Sequence, residues 1–278
     1  MHIHKEGWPR VAFIGGGNMA SAIIGGLIAA GHSPESLLVI EPHVPQSLRL
    51  RQRFGVQVDA VGGTLLGSAD VAIWAVKPQA FDQAAATCAP FLGDALHLSI
   101  MAGIRSDAIT LATGSEKVVR AMPNTPAIIG EGIAGLYACA AVTDEGRSMA
   151  EALLAPTGET LFVPREADLD AITALSGSGP AYVFYFLEAM VQAAVEMGLD
   201  VEKGHRLAMS TFKGATALAL ISDQSLEALR NQVTSKGGTT HAALAAMESS
   251  GVKAAIVAAI RTAQARACEL SNIHGRQS

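Results

Sequence analysis

The stretch Val11–Ala20, which reads VAFIGGGNMA, decides the fold of the chain. Its first four residues are apolar and predict a buried parallel strand, and the glycines predict a turn into a helix from Asn18 to about Ala30. The spacing G-x-G-x-x-A between a strand and a helix is typical of a dinucleotide-binding turn, whose helix N-terminus offers backbone N–H groups to a pyrophosphate. A glycine turn that binds no ligand is the alternative for the motif taken alone.

The three small residues of this motif have separate tasks in a dinucleotide-binding turn. We expect Gly15 to permit the tight turn, Gly17 to let the backbone approach the pyrophosphate, and Ala20 to bring the helix close to the strand. The expected cofactor contacts of the turn are Ile14, Gly15, Gly16, Gly17, Asn18 and Met19.

The bulk composition narrows the class of protein. A chain of 278 residues buries roughly 70–75% of its unfolded surface and forms one or two domains. The net charge of −5 leaves no basic stripe for nucleic-acid phosphates, so we expect no nucleic-acid partner. We also expect no membrane partner, because no stretch reaches about eighteen consecutive apolar residues.

The cysteines and the first residues favour a cytoplasmic protein. Cys88, Cys139 and Cys268 are odd in number, far apart and at no metal-ligand spacing, which favours a reduced compartment. The stretch before Arg10 lacks the apolar core of a signal peptide. No histidine or carboxylate pair stands at metal-ligand spacing, and we expect no metal site.

Apolar runs alternate with helical stretches through the first half of the chain. After the first strand, such runs occupy residues 37–41, 56–58, 71–76, 96–100 and 118–122. This alternation predicts an α/β fold with an N-terminal Rossmann-like, doubly wound sheet of parallel strands. Two further edge strands are expected at residues 133–138 and 160–163, around a helix at 144–154.

The pattern changes near Pro164. From Asp168 onward no stretch predicts a strand, and the expected helices cover residues 180–197, 201–221, 226–231, 241–247 and 252–270. We therefore expect a dinucleotide-binding Rossmann-like domain over residues 1–164 and an all-α C-terminal domain over residues 165–278. Pro180 stands in the first turn of its helix, where its missing N–H costs nothing.

The expected helix over residues 180–197 is apolar almost all round, above all at Tyr182–Leu187. A helix that is apolar on every side is buried against other structure. The covering structure is either the rest of a helical bundle or a second copy of the chain, because obligate dimer interfaces resemble a core cut in half.

A strand exit in the first half is a candidate part of the cofactor site. The residues concerned are Ala75, Val76, Lys77 and Pro78. They follow a buried strand, and ligands of open α/β sheets bind outside the carboxyl ends of the strands. The alternative is an ordinary strand exit with a solvated lysine and a proline that starts a helix.

A second strand exit carries two prolines. Met122–Pro126 reads MPNTP and predicts a stiff, extended loop, because each proline restricts itself and the residue before it. Such a loop can place the Asn124 amide and the Thr125 hydroxyl against a nicotinamide or a substrate. A plain structural turn explains the motif equally well.

Two glycine-rich loops lie among the expected helices. Ser176–Gly179 reads SGSG and Thr234–Thr240 reads TSKGGTT. Successive backbone N–H groups with hydroxyls beside them form a concave donor site for a carboxylate. Helix capping is the alternative, although capping needs only one such hydroxyl. With no nucleophile motif in the chain, hydride transfer from a cofactor is the chemistry that fits.

Five stretches together resemble one enzyme family. They are Val11–Ala20, Ala75–Pro78, Arg120–Ala127, Ser176–Phe184 and Val233–Thr240. In this order they resemble pyrroline-5-carboxylate reductase, and the resemblance runs from about residue 10 to 270. The glycine turn is generic, whereas the last three stretches are specific to that family.

The resemblance implies the last step of proline biosynthesis. A nicotinamide hydride would go to the C=N carbon of 1-pyrroline-5-carboxylate and give L-proline. It also implies a homodimer with interlocking helical domains, often assembled into a larger ring, and an active site between one subunit's cofactor domain and the helices of both. NADPH would be the usual cofactor, and NADH is accepted by many members.

The resemblance also assigns substrate residues. Thr240 would be catalytic, because its hydroxyl would reach the ring nitrogen. The substrate-binding set implied by the motifs is Ser176, Ser178, Ser235, Gly238, Thr239 and Thr240. The cofactor set would add Glu41 and Asn124 to the turn and to the first strand exit.

Two positions depart from the family pattern. Lys236 stands where the family loop commonly has proline, and its charge either attracts the carboxylate or lies in solvent. Glu41 ends the second strand, where a carboxylate accepts from the ribose 2′-OH of NAD and repels the 2′-phosphate of NADP. Glu41 either faces the cofactor, with its charge offset by the nearby His43, Arg49, Arg51 and Arg53, or points away.

Two other classes of protein are alternatives. A hydroxyacid dehydrogenase with a similar domain plan usually carries a lysine acid on the interdomain helix, and residues 180–197 contain no lysine. A non-enzymatic NAD(P)-binding sensor or scaffold would keep the cofactor fold without turnover. The intact substrate loops argue against such a protein.

Overall fold

The structure is a computed structural model that describes residues 8–275. These residues form two compact units. The first unit takes the chain up to Ser178 and again from Ala263 onward, and the second takes Gly179–Thr262.

The first unit carries all the strands of the described chain. They are β1 (Val11–Ile14), β2 (Leu37–Ile40), β3 (Gln57–Asp59), β4 (Val71–Trp74), β5 (Leu96–Ser99), β6 (Val118–Met122), β7 (Gly132–Ala138) and β8 (Gly158–Phe162). Its helices are α1 (Asn18–Ala29), α2 (Val44–Phe54), α3 (Phe81–Cys88), α4 (Ser106–Thr113), α5 (Asp144–Leu154) and α6 (Asp168–Ile172). A π-helical turn over Thr173–Gly177 directly follows α6.

The strands form one sheet in the order β3-β2-β1-β4-β5-β6-β7-β8. The first six strands of this order are parallel, β7 is antiparallel to β6, and β8 is parallel to β7. The order of the strands across the sheet therefore reverses between β1 and β4. Open α/β sheets bind ligands at such a switch point. The predicted α/β, doubly wound class is confirmed.

Helices cover both faces of the sheet. One core joins Phe13 and Ile73 to Ile23, Leu27 and Leu153, which come from α1 and α5. The other core lies on the opposite face, where α3 and α4 pack against the side chains that alternate with those of the first core. The strands β1 and β4, which are buried along their whole length, are apolar throughout, as is typical of the central strands of a parallel sheet.

The short connection between β6 and β7 explains why β7 runs antiparallel to β6. Only a single 3₁₀ turn over Thr125–Ile129 separates β6 from β7, and a parallel return needs a crossover of about a dozen residues or more. The helix α5 provides such a crossover between β7 and β8. The predicted edge position is therefore right for β8, while β7 lies between β6 and β8.

The second unit is helical. It contains α7 (Gly179–Glu196), α8 (Val201–Leu220), α9 (Leu226–Gln232), α10 (Thr239–Ser249) and the first part of α11 (Val252–Gly275). Within the described chain no strand follows Asp168, as predicted. Phe186 of α7 meets Phe212 of α8 with ring centroids 5.7 Å apart.

The main segment of the first unit ends at Ser178 and the second unit begins at Gly179, which is later than the predicted boundary at residues 164/165. Residues 165–178 group with the sheet. Ile172 of α6 packs on Gly135 of β7 so closely that a Cβ at residue 135 would overlap its side chain. The end of α11 also belongs to the first unit, where the buried Ser271 hydroxyl donates to Asp170 at 2.9 Å. Local patterns along the chain do not reveal such packing.

The second unit buries few of its apolar side chains. Leu187, Ala194 and Ala208 are buried. Exposed large apolar side chains of this unit include Phe184, Tyr185, Met197, Leu207, Leu220 and Ile221. Exposed apolar side chains that follow one another along α7 and α8 are typical of a surface that contacts another protein chain.

A helix that crosses a membrane needs about 20 consecutive residues that are mostly apolar. Among residues 8–275 no single helix is both long and apolar enough, while α10 and most of α11 meet the criteria only as a bent pair. In the same range no three His, Cys, Asp or Glu side chains are grouped so that they could hold a metal ion.

Candidate active site

The glycine turn brings β1 close to the exit of β4. Gly15 has φ +99°, and a Cβ there would lie 2.7 Å from the carbonyl oxygen of Ala75. The Gly15 N–H donates to Ile40 at 2.9 Å, and the Ala75 N–H donates to Ile14 at 2.8 Å. Glycine is therefore required at residue 15 both by the left-handed backbone and by the close approach of the two strand exits.

The N-terminus of α1 fits the phosphates of a dinucleotide. Gly17 is its N-cap, and the helix has no side-chain cap and no acidic residue in its first turn. A Cβ built on Gly17 meets no described atom within 4 Å. The space beside Gly17 is thus open, the N-terminus of α1 has no side-chain cap, and the positive end of the helix dipole favours an anion there.

Glu41 faces the glycine turn. Its Oε2 accepts the Gly16 N–H and its Oε1 accepts the His43 N–H, both at 2.9 Å. The alternative that Glu41 points away from the turn is therefore excluded. Gln46 also holds the turn, since its Nε2 donates to the Gly16 carbonyl at 2.5 Å.

The arginines that follow Glu41 in the sequence contact groups other than its carboxylate or line a groove. The Arg51 guanidinium donates to the Val58 carbonyl, and the Arg53 guanidinium lies 4.9 Å from the centre of the Phe54 ring. Arg49 lines a groove on the outer side of α1. No ion pair within residues 8–275 involves Glu41, so no arginine is paired directly with its carboxylate.

A groove with a volume of about 910 Å³ runs along α1. It lies between α1 and α2 and reaches Asn18 at one end. A Cβ on Gly25 would lie 3.1 Å from Phe54, and one on Gly26 would lie 2.9 Å from Pro156. Packing of these two side chains explains the small residues of the groove without a ligand.

The first strand exit follows β4 as predicted. Ala75 and Val76 are half-buried beside Gly15, and Lys77 is exposed just before the 3₁₀ turn that starts at Pro78. The backbone of Ala75 and Val76 is thus placed at the switch point of the sheet. The solvated alternative for the Lys77 side chain remains open.

Asn124 lies at the exit of β6 and is 9% exposed. Its Oδ1 accepts the Ile133 N–H at 3.0 Å, and its Nδ2 donates to the Ser176 carbonyl at 3.3 Å. The structure therefore brings the MPNTP loop and the first SGSG serine together within the first unit. Ser178 follows the π-helical turn, and its N–H donates to Thr173 at 2.8 Å.

The other four substrate residues lie in the second unit. Ser235 and Thr239 are exposed, and the Gly238 N–H donates to the Ser235 carbonyl at 3.0 Å. Gly238 is the N-cap of α10, and the described residues give this helix no side-chain cap. The hydroxyls of the loop are therefore not explained by capping, and the first-turn N–H groups near Thr240 can receive a carboxylate.

A buried polar network on the first unit has no counterpart in the sequence prediction. The Glu166 carboxylate accepts the Ser106 N–H at 2.6 Å and its hydroxyl at 2.7 Å, and it pairs with Arg120 Nη1 at 2.7 Å. Burial raises the pKa of Glu166, but the Arg120 charge and the Ser106 donors outweigh burial and hold that pKa below its ordinary value. Ser106 begins α4, so the carboxylate also meets the positive end of that helix. Glu166 lies 60 positions after Ser106, so no local sequence pattern indicates that the two side chains meet.

Family models match both halves of the chain. The model described as pyrroline-5-carboxylate reductase dimerisation matches residues 166–270. The model described as NADP oxidoreductase, coenzyme F420-dependent, matches residues 10–103. The first match begins near the predicted boundary, and the second contains the glycine turn, Glu41 and the exit of β4.

Similar proteins cover nearly the whole chain. A pyrroline-5-carboxylate reductase of Pseudomonas aeruginosa is 39% identical over 270 residues, which are 96% of this chain and 99% of that relative. A solved pyrroline-5-carboxylate reductase of Coxiella burnetii has a TM-score of 0.89 at 35% identity and covers 95% of this chain and 99% of its own. The Plasmodium falciparum enzyme, solved with NADP bound, has a TM-score of 0.85 at 28% identity, with 95% and 98% covered.

These matches agree with the residues that carried the resemblance. They extend through the glycine turn, the strand exits and both glycine-rich loops. They favour the reductase over the hydroxyacid dehydrogenase and over the non-enzymatic sensor. The chain belongs to the pyrroline-5-carboxylate reductase family of oxidoreductases.

Proposed function

We propose that this chain reduces 1-pyrroline-5-carboxylate to L-proline, with NADPH as the main hydride donor and NADH as the alternative donor. The observation that carries the proposal is the N-terminus of α1, where Gly17 is the N-cap residue and no side chain caps the helix. It stands in a chain whose relatives, at up to 39% identity among those compared, are named for this reaction. The NADP-bound relative from Plasmodium falciparum supports the choice of cofactor.

The cofactor set proposed for the first unit needs little rearrangement. The N–H groups at Asn18 and Met19 bind the pyrophosphate, and the backbone of Ala75 and Val76 lies beside the turn. Glu41 remains bonded to the Gly16 N–H while its remaining lone pairs face the adenosine ribose, which offers two hydroxyls in NADH and one hydroxyl beside the 2′-phosphate in NADPH. A reduced nicotinamide bound there supplies the hydride.

The chain's own residues bind the substrate and guide a proton. The loop before α10, with Ser235, Gly238 and Thr239, holds the substrate carboxylate through N–H groups and hydroxyls. The Thr240 hydroxyl contacts the ring nitrogen, orients the imine and relays the proton that this nitrogen takes up before hydride transfer; addition of the hydride to the C=N carbon then gives the ring amine of L-proline. Ser176 and Ser178 line the substrate site. A protonated cyclic imine is already electrophilic, so orientation supplies most of the catalysis.

We further propose that the active protein is a homodimer, that dimers assemble into a larger ring, and that it works in the cytoplasm. The match of residues 166–270 to a dimerisation model supports the dimer, and so does the exposed apolar surface of α7 and α8. Sedimentation velocity over a range of concentrations tests the assembly. A monomer at micromolar concentration would contradict it.

A spectrophotometric assay tests the reaction. The purified chain is mixed with 1-pyrroline-5-carboxylate and NADPH or NADH, and loss of the reduced nicotinamide absorbance is followed together with L-proline by amino-acid analysis. We expect equal amounts of oxidised cofactor and L-proline. If neither cofactor is oxidised by the intact protein, the reductase function is wrong and a binding protein is favoured.

A further inference from the structure

Asn124 joins three segments of the first unit. Its side chain accepts from Ile133 at the start of β7 and donates to Ser176 in the π-helical turn. Its own carbonyl accepts the Ala127 N–H at 3.1 Å. Each end of the amide faces a partner that only this orientation satisfies, because the Ile133 N–H can only donate and the Ser176 carbonyl can only accept.

The Ser176 carbonyl lacks its ordinary helical partner. In a regular α-helix it would accept the N–H of residue 180, and residue 180 is proline, which has none. The π-helical turn directly follows α6, and Pro180 stands in the first turn of α7 (Gly179–Glu196), as predicted. The Asn124 amide supplies a donor from outside the helix.

The π-helical turn is also fitted closely to the exit of β6. A Cβ on Gly177 would lie 2.8 Å from the Met122 Cε. The Ser176 Oγ is enclosed and has no hydrogen-bond partner among residues 8–275. This unpartnered hydroxyl belongs to the π-helical turn itself, and π turns recur at functional sites.

We propose that Asn124 is a positioning residue. Its amide holds the π-helical turn Thr173–Gly177 in place and thereby sets the position of Ser178, the serine that immediately follows the turn. This proposal rests on the proposed function, in which Ser178 lines the substrate site. It also gives Asn124 a role other than the predicted nicotinamide contact, since each end of its amide is bonded to another segment of the protein.

The variant Asn124→Asp separates the two contacts. Aspartate keeps an oxygen for the Ile133 N–H, but its ionised form has no hydrogen to donate to Ser176. When protonated, the same carboxyl can donate again. We therefore expect KM for 1-pyrroline-5-carboxylate to rise, or kcat to fall, by about tenfold near pH 8, with partial recovery relative to wild type as the pH falls.

The matched control is Thr157→Val. Thr157 is buried, and its hydroxyl donates to the Leu154 carbonyl at 2.6 Å between α5 and β8. This variant loses one buried hydrogen bond to a carbonyl without touching the π-helical turn. Its thermal stability should fall as that of Asn124→Asp does, while its KM for the substrate stays at the wild-type value.

Three measurements on the full chain decide the matter. They are the steady-state constants for 1-pyrroline-5-carboxylate across pH, the Kd for NADPH from a fluorescence titration without substrate, and Tm. The proposal expects a changed substrate constant, a Kd within about twofold of wild type, and recovery at low pH. A Kd weakened tenfold with an unchanged substrate KM would make Asn124 a nicotinamide ligand and overturn the proposal.

The remaining outcomes are equally distinct. Substrate constants of Asn124→Asp that match those of Thr157→Val would show a structural role alone and overturn the proposal. If the wild-type chain itself fails to reduce the imine, the proposed function fails first, and the positioning role falls with it. An active wild type beside an unaffected Asn124→Asp removes only the positioning role.

Discussion

Trp74 donates its indole N–H to Nδ1 of His97 at 3.0 Å across the β4–β5 pair, with both side chains at most 1% exposed. The indole N–H can only donate, so His97 carries its own hydrogen on Nε2. Burial lowers the pKa of His97 to about 4. The imidazole is therefore a neutral acceptor inside the sheet.

This pair predicts a loss of stability at mildly acidic pH. The unfolded chain takes up a proton on His97 near pH 6.5 and the folded chain only near pH 4, so the contribution is complete above pH 6.5 and declines as the pH falls toward 4. The full loss amounts to at most about 3 kcal/mol. Urea unfolding at fixed protein concentration measures it, with His97→Asn as comparison.

His97→Asn keeps an acceptor near the Nδ1 position but cannot titrate. We expect the variant to lose less of its free energy of unfolding than wild type between pH 7 and pH 4.5. Equal losses in the two proteins would show that other groups, not His97, set the acid sensitivity.

Alanine substitutions at Gly15 and Gly17 are expected to affect different properties, the first stability and the second dinucleotide binding. Gly15→Ala strains a positive φ and presses a Cβ onto Ala75, so it should unfold the chain at lower temperature. Gly17→Ala meets open space and should lower Tm little, because an N-cap alanine costs about 1 kcal/mol or less. It should weaken dinucleotide binding about tenfold or more. Thermal unfolding with a fluorescence titration separates the effects, and unaltered binding by Gly17→Ala would exclude a pyrophosphate at this turn.

Glu41 is expected to discriminate between the two dinucleotides. A carboxylate that is paired with no arginine disfavours a 2′-phosphate, so Glu41→Ser should raise the NADPH-to-NADH ratio of kcat/KM by about tenfold. Direct Kd titrations of both reduced cofactors should move in the same direction. Glu35→Gln removes an equal charge from an exposed position and serves as control. An unchanged ratio in Glu41→Ser would remove Glu41 from cofactor choice.

Thr240 is expected to act on the substrate alone. Thr240→Ala should lower kcat/KM for 1-pyrroline-5-carboxylate by about 10- to 100-fold, because an oriented proton donor and ring contact are lost. The Kd for NADPH should stay near the wild-type value. Thr240→Ser keeps the hydroxyl and should recover most of the activity. Full activity in Thr240→Ala would show that the hydroxyl has no part in the reaction.

The buried pair of Arg120 and Glu166 is expected to matter more when broken than when replaced. Glu166→Ala leaves a cation that is 8% exposed and should cost about 3–5 kcal/mol of unfolding free energy. The double variant Arg120→Met, Glu166→Leu should lose less than the sum of the single losses. Asp168→Ala, in the exposed pair with Arg165, should change little. Additive losses in the double-mutant cycle would mean that the pair is not coupled.

The sequence was most informative where a feature depends on neighbouring residues. The strand–turn–helix at Val11–Ala20, the exit of β4 and the helix Asp144–Leu154 appear where local apolar patterns put them. The substrate loop before Thr240 was recognised in the same way, although its role in binding stays a prediction.

Other features depend on residues far apart in the chain, and local patterns carry no record of them. Glu166 meets Ser106 across 60 positions, and Asn124 meets Ser176 across 52. Whether Glu41 faced the turn also depended on the fold, because the carboxylate reaches the Gly16 N–H across 25 positions. The π-helical turn was not predicted, and its contacts with Asn124 and Met122 join it to residues more than 50 positions earlier in the chain.

The end of α11 gives the second unit the topology of an insertion. The chain leaves the first unit after Ser178 and re-enters it at Ala263, and there Ser271 bonds to Asp170. A segment tied at both ends has fewer unfolded conformations than a free tail of the same length. Fraying that starts at the C-terminus must therefore release Ser271 from Asp170 before it can reach the helices of the second unit.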